Sequence, residues 1–105
     1  IYDEHGRKML AARGESTVIK ANGEFEKSEL ESAKEAIESY RDKEWNQYEI
    51  RAEGNKIEVS LNGHVTSVIE DLQEEERELS GLLALQLHSG PPMKIQFRNI
   101  VLTED

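Results

Sequence analysis

The sequence has 105 residues, which is enough for one small domain. Acidic residues number 22 against 13 basic ones, and the formal charge of -9 argues against a nucleic-acid backbone or an anionic membrane surface as a partner. Cysteine is absent, which excludes a disulfide framework, a thiolate zinc site and a cysteine nucleophile. The charge predicts a well-solvated exterior and an uncharged or cationic partner.

The first residues, Ile1-Tyr2-Asp3-Glu4, read as the interior of a longer chain. They lack an initial Met, a basic n-region and the apolar h-region of a signal peptide. We therefore expect residues 1–105 to be part of a single, longer domain. No apolar run approaches the ~18 residues that a membrane span requires, so we expect no membrane insertion.

The first 44 residues predict two strands and one helix. Short apolar pieces at residues 9–12 and 17–19 indicate the strands, and Asn22-Gly23 indicates a turn. Ser28, followed by Glu31 three residues later, resembles a capping box. Apolar residues then recur at near-helical spacing: Phe25, Leu30, Ala33, Ile37 and Tyr40. This pattern predicts a helix around residues 28–41 that lies across a sheet.

Residues 45–69 alternate with a period of two and predict a three-stranded antiparallel meander. Gly54-Asn55 and Asn62-Gly63 are the two tight turns. The acidic residues 70–80 then predict an exposed connector. Asp71 and its neighbouring glutamates offer oxygen ligands for calcium, but their spacing matches no calcium loop, so the exposed loop is favoured.

The last quarter holds two apolar runs, at residues 81–88 and 93–102, separated by a Gly-Pro-Pro break. Each run carries polar residues: Gln86 and His88 share one face of the first, and Gln96 and Arg98 share one face of the second. Apolar residues on both faces indicate central strands in a two-layer structure. The whole pattern predicts a mainly β fold, an antiparallel β-sandwich or jelly roll with one helix.

Several short motifs, in order along nearly the whole chain, resemble the 3-keto-disaccharide hydrolase family (DUF1080). Residues 97–100 and 82–88 resemble its closing block, and Asp71 lies where the family often has an Asp. Residues 2–7 and 12–15 resemble a subfamily motif. The most specific block is Trp45-Asn46-Gln47-Tyr48-Glu49-Ile50, Gly54-Asn55-Lys56-Ile57 and Leu61-Asn62-Gly63-His64.

The resemblance implies a concanavalin A-like jelly roll of which this sequence is the C-terminal part, so the remainder of the chain would be needed to complete the sandwich. It also implies cleavage of a glycosidic bond in a 3-keto-glycoside, a sugar or glycoside ligand, and a bacterial protein exported to the periplasm or the exterior. Oxidation at C3 acidifies the C2 hydrogen, so the bond at C1 can break by elimination and the product can then be hydrated. That chemistry requires a general base and an electrophile at the ketone oxygen.

Three residues are the candidate catalytic groups: His88, Asp3 and Glu4. The reference pKa of histidine lies near neutrality, and His88 ends a predicted strand beside a loop. The alternative is a structural histidine that bonds the loop backbone. For Asp3 and Glu4, the alternative is a turn stabilised by Asp3, with Arg7 as a potential partner of these carboxylates.

Four residues are the candidate substrate-binding groups: Tyr2, Gln86, Gln96 and Arg98. We predict that Gln86, Gln96 and Arg98 converge with His88 if the terminal strands are neighbours. The alternative for Arg98 is a buried ion pair, with Asp3 or Glu4 as its acid. Trp45 is predicted to pack in the core rather than to stack on sugar.

The rival to an enzyme is a non-catalytic glycan-binding or structural β-sandwich module, since one fold hosts both. Exposed aromatic residues on one face would favour binding, and a pocket with titratable groups would favour catalysis. The sequence shows no cofactor motif and leaves the question of a metal ion open.

Overall fold

The computed structural model describes residues 1–4, 6–77, 79–86 and 89–104. It is mainly β, with one helix in the described part of the chain, which confirms the predicted fold class and is consistent with a β-sandwich jelly roll. The elements in chain order are β1 (Tyr2–Asp3), β2 (Lys8–Met9), β3 (Glu15–Ile19), β4 (Phe25–Glu29), α1 (Ser32–Ser39), β5 (Tyr48–Glu53), β6 (Lys56–Leu61) and β7 (His64–Asp71).

The predicted meander is confirmed as β5, β6 and β7, which pair antiparallel in sequence order. Glu53 pairs with Lys56 across Gly54-Asn55, where Gly54 alone has a positive φ, as a type II′ turn requires. Asn62 and Gly63 both have positive φ, of 50° and 83°, which matches a type I′ turn. The turn residues therefore fix the register locally.

The meander supplies three strands of a five-stranded sheet with the order β4-β3-β7-β6-β5. Strand β3 pairs parallel with β7 and antiparallel with β4, so the sheet is mixed. A separate two-stranded ribbon joins β1 to β2. Strand β7 is therefore central, while β4 and β5 are the edge strands of this sheet.

The predicted start of the helix is wrong. Residues 25–29 form β4, where Ser28 pairs with Ser16 of β3, and α1 begins only at Ser32. The capping box does not form, because Glu31 is the N-cap residue and makes no side-chain cap hydrogen bond. Strand pairing with β3 therefore outweighs the local helical pattern.

The two strands predicted in the last quarter are absent from its described residues, 79–86 and 89–104. Apolar residues in this part remain exposed, so they are not the central strands we expected. A segment with period-two alternation forms a strand only when a neighbouring strand pairs with its backbone. No described strand pairs with residues 79–86 or 89–104. Asn99 also has a φ of 54°, which interrupts an extended backbone.

The core lies on the face of the sheet that α1 and the β1–β2 ribbon cover. Its buried cluster is Leu10, Ala11, Ile19 and Ile69, with Ile1 and Ile57 packed against it. Burial of an isoleucine side chain contributes ~1.5–3 kcal/mol, so Ile19 of β3 and Ile69 of β7 hold the residues that flank the ribbon against the sheet. The same face is uncovered farther along, where Tyr48 and Ile50 of β5 are 64% and 55% exposed. No helix among the described residues has the length and apolarity to cross a membrane.

Candidate functional site

Arg7 connects two segments that are distant in the sequence, residues 3–7 and residues 71–76. Its Nη1 and Nη2 donate to the two carboxylate oxygens of Asp71 at 3.0 and 2.6 Å, as a bidentate pair. Its Nε donates to Asp3 Oδ2 at 3.4 Å. Nη1 also donates to Gln73 Oε1 at 3.2 Å, and Nη2 to the carbonyl of Glu76 at 3.4 Å. A guanidinium has five N–H donors, so all of them are engaged.

Asp71 is the buried anchor of this cluster, which we call the Arg7 clasp (Asp3, Arg7, Asp71, Gln73 and Glu76). It lies at the end of the central strand β7, and its carboxylate also accepts the backbone N–H of Gln73 at 3.0 Å. Burial tends to raise the pKa of Asp71, but the hydrogen bonds and charge of Arg7 hold that pKa below its usual value. The same pair raises the pKa of Arg7.

Asp3 is the last residue of β1, just before the turn that joins β1 to β2. Its Oδ2 accepts the backbone N–H of Arg7 at 3.2 Å, and this bond is the first cause that lowers the pKa of Asp3. A Cβ at Gly6 would lie 2.6 Å from the same oxygen, so any other residue there would displace the Asp3 carboxylate from its present position. The expected pairing of Arg7 with an acidic residue of this segment is thus present. A catalytic role for Asp3 stays a prediction, as it does for Glu4, which is exposed.

Among the described residues, no hydrogen bond or ion pair joins the predicted site residues of the last quarter to the Arg7 clasp. Gln86 borders a shallow pocket of about 320 Å³ with Met93, Lys94, Ile95 and Phe97. Gln96 is exposed. His88 lies outside the described residues, so its predicted convergence with Gln86, Gln96 and Arg98 stays a prediction.

Arg98 stacks on Trp45, with its Cζ 4.1 Å from the centre of the ring system. The alternative of a buried ion pair with Asp3 or Glu4 is therefore wrong, since Asp3 pairs with Arg7 and Arg98 is exposed. The predicted core position of Trp45 is also wrong. Trp45 precedes an edge strand and is 44% exposed, because that position leaves one side of the residue open.

A groove of about 860 Å³ lies between α1 and the uncovered half of the sheet. Its floor is apolar and is formed mainly by β5 and β6, and Tyr40 and Tyr48 stand at its edge. Arg13, Thr66 and Ser67 are its polar residues, and neither carboxylate nor histidine is among the described residues that line it. This groove can hold an apolar surface but offers no general base.

Two asparagines that the sequence analysis did not select tie the groove's helix to the meander. Asn62 Nδ2 donates to Asn46 Oδ1 at 3.0 Å and to the carbonyl of Ser39, the last residue of α1, also at 3.0 Å. Asn62 Oδ1 accepts the N–H of Gln47 at 2.8 Å, and Asn46 bonds both the N–H and the carbonyl of Arg41. Asn46 and Asn62 both belong to the sequence block that carried the family resemblance. That resemblance was the signal in the sequence that could have identified them.

The clasp also bears on metal binding. No group of three or more His, Asp or Glu side chains is placed to hold a metal among the residues that the structure describes. Asp71, the residue considered for calcium, gives both carboxylate oxygens to Arg7, whose positive charge repels a cation. The geometry therefore disfavours calcium at Asp71.

The mainly β fold, with its family-matched meander, defines a carbohydrate-related β domain. More specifically, the chain belongs to the family of the 3-keto-alpha-glucoside-1,2-lyase-like domain, whose family model matches residues 1–103. This confirms the family resemblance noted in the sequence. No curated protein and no solved structure matches the chain.

Proposed function

We propose that this domain cleaves the glycosidic bond of a 3-keto-glycoside by elimination. The observation that carries the proposal is the family match over nearly the whole chain. A base removes the proton at C2, its electrons form a C1=C2 double bond, and the C1–O bond breaks as the leaving oxygen takes a proton. Water added across the double bond then gives the free 3-keto sugar, so the net reaction is hydrolysis.

The sequence supplies candidates for each role in this reaction. His88 is the candidate base or acid, because its side chain can hold or release a proton near neutral pH. Asp3 is ionised at neutral pH, since its pKa is lowered, and Glu4 follows it as the first residue of the turn after β1. Tyr2, Gln86, Gln96 and Arg98 are the candidate groups for sugar hydroxyls and the keto oxygen.

We also propose that the native chain extends beyond these residues and completes a jelly roll over the groove. The uncovered Tyr48 and Ile50 support this, because a domain of this size rarely leaves a contiguous apolar face in water. Export to the periplasm or the exterior is part of the same proposal. Its test is fractionation of the native cells, with detection of the protein outside the cytoplasm as the expected result.

The experiment is an assay of the full-length native protein with a 3-keto-disaccharide and its unoxidised parent. We expect sugar release from the oxidised compound only, because only the ketone acidifies C2. His88→Ala should lower the rate about a hundredfold, and His64→Ala, a change in β7, serves as the matched control. Equal rates for His88→Ala and the wild type would remove His88 from the mechanism.

A non-catalytic glycan-binding module is the second candidate. The observation that favours it is the pair of exposed tyrosines, Tyr40 and Tyr48, beside the groove. Saturable binding of unoxidised sugar, lost in Tyr48→Ala, together with no cleavage of the 3-keto compound, is the result that would select this candidate.

A further inference from the structure

The side chain of Arg7 has no N–H donor left for a ligand. All five of its N–H donors have protein acceptors, and its side chain is only 14% exposed. A sugar hydroxyl or a keto oxygen could bind Arg7 only by displacing one of these acceptors. Any influence of Arg7 on a reaction must therefore pass through the residues it holds.

The β1–β2 ribbon depends on such an anchor. It has two residue pairs, Tyr2 with Met9 and Asp3 with Lys8, and an isolated two-stranded ribbon is marginal even when longer. Lys8 also has a φ of 70°, a conformation that residues with a Cβ disfavour. The ribbon carries Tyr2 and Asp3, two of the candidate site residues, with Glu4 in its turn.

The Arg7 clasp attaches this ribbon to the centre of the sheet. Asp71 ends β7, its backbone N–H donates to the carbonyl of Asn55, and the next residue, Leu72, donates to the carbonyl of Ile19. Asp71 is thus fixed by backbone bonds on both sides. Arg7 transmits that fixed position to Asp3, which it contacts through both its backbone N–H and its Nε.

We propose that Arg7, fixed by Asp71, is a positioning residue that holds Asp3, and with it the adjoining Glu4, in place for the glycoside cleavage. This inference rests on the proposed function. It assigns a role to Arg7 and Asp71, which are not among the candidate catalytic residues. The charged groups in and around the clasp include Asp3, Arg7, Asp71, Glu74 and Arg77. Nη1 of Arg77 donates to the carbonyl of Asp71 at 3.2 Å, and Nη2 of Arg77 lies 3.8 Å from the carboxylate of Glu74.

The test compares Arg7→Gln, Arg7→Lys and Asp71→Asn in the full-length protein. The matched control is Arg51→Gln, which removes an arginine from an exposed ion pair with Glu53 on β5. The first readout is the cleavage of a 3-keto-disaccharide across pH. We expect kcat to fall by about ten- to a hundredfold in Arg7→Gln, with KM changed less than about twofold, since a displaced group loses rate rather than binding. Arg7→Lys should recover part of that loss.

The second readout is a carbon-13 NMR titration of the Asp3 carboxyl, assigned with Asp3→Asn. Arg7→Gln keeps the backbone N–H bond to Asp3 and removes the side-chain bond and the charge of Arg7, which also lower the pKa of Asp3. The pKa of Asp3 should therefore rise by that part only, and the acid limb of the rate profile should move to higher pH by the same amount. Arg51→Gln should move neither. An unchanged Asp3 titration, or a kcat loss no larger than the loss of folded protein, would overturn the proposal.

The titration does not require turnover. If the wild-type protein leaves 3-keto-glycosides intact, the proposed function fails, while the claim that Arg7 sets Asp3 is still decided by the Asp3 titration.

Discussion

Asn46 and Asn62 join their side-chain amides at 3.0 Å, at the point where α1, the loop before β5 and the β6–β7 turn meet. Each amide is also bonded to backbone groups, so the contact has well-satisfied donors and acceptors. Asn62 adds a positive φ, so one residue supplies both the turn conformation and the link to α1.

Asn62→Gly separates these two roles, because glycine keeps the positive φ and removes the amide. We expect the free energy of unfolding to fall by ~0.5–1.5 kcal/mol, since the partly buried Ser39 and Asn46 and the exposed Gln47 lose their hydrogen bonds to the Asn62 amide. The measurement is urea unfolding followed by circular dichroism. Asn55→Gly is the control, and we expect its effect to stay within ~0.5 kcal/mol. Equal effects of the two variants would show that the amide network contributes nothing.

Thr17 is fully buried in β3, and its hydroxyl has no hydrogen-bond partner among the described residues. Thr17→Val should therefore raise the free energy of unfolding by ~1 kcal/mol, because the variant removes an unsatisfied polar group and keeps a β-branched side chain. Thr66→Val is the opposite control, since Thr66 Oγ1 donates to the carbonyl of Val59 at 3.1 Å and its loss should destabilise. Thermal unfolding of both variants checks the pair, and a loss of stability in Thr17→Val would contradict the account.

Trp45 is the one tryptophan in the sequence, so tryptophan fluorescence reports on the surroundings of this ring, which include Arg98. Arg98→Gln removes the cation from the ring, and we expect a red-shifted emission because water replaces the guanidinium. Lys94→Gln is the control in the same segment. An unchanged spectrum in Arg98→Gln would show that the stack does not persist in solution.

The pKa of Asp71 is lower folded than its usual value of 3.8, which gives its contribution to stability a definite sign. The contribution is fully present above the unfolded pKa and is lost as the pH falls through the lower folded pKa. Wild-type stability should therefore decline in acid below about pH 4. The Asp71→Asn variant should be less stable than the wild type at neutral pH. Its free energy of unfolding should lack the part of the acid decline that Asp71 causes. Urea unfolding between pH 7 and pH 3 measures both, and parallel curves would contradict the prediction.

The sequence predicted the meander because its signals are local. Gly54-Asn55 and Asn62-Gly63 dictate their turns within a few residues, whatever the rest of the chain does. Ser28 and Glu31 gave a wrong helix start because the structure there is not decided locally. Ser28 pairs with Ser16, so its conformation depends on β3. The alternating last quarter carries a strand pattern, but a pattern does not supply the neighbouring strand that its backbone groups need.

The candidate site was less predictable than the fold. Arg7 and Asp71 are 64 residues apart, and no spacing rule connects them. The sequence offered Arg7 as a partner of Asp3, which is correct, but not its stronger bond to Asp71. The stacking of Arg98 on Trp45 was missed because a tryptophan next to an alternating strand favours core packing, and the edge position of β5 follows only from the topology.

The most direct test of the account is the fate of the C2 hydrogen. The full-length protein is incubated with a 3-keto-disaccharide in D₂O, and the released 3-keto sugar is examined by mass spectrometry and proton NMR. Substrate and product incubated in D₂O without protein correct for spontaneous exchange. Elimination followed by hydration predicts one deuterium at C2 of that sugar. Release of the sugar with its original C2 hydrogen retained, or no cleavage at all, would contradict the proposed function.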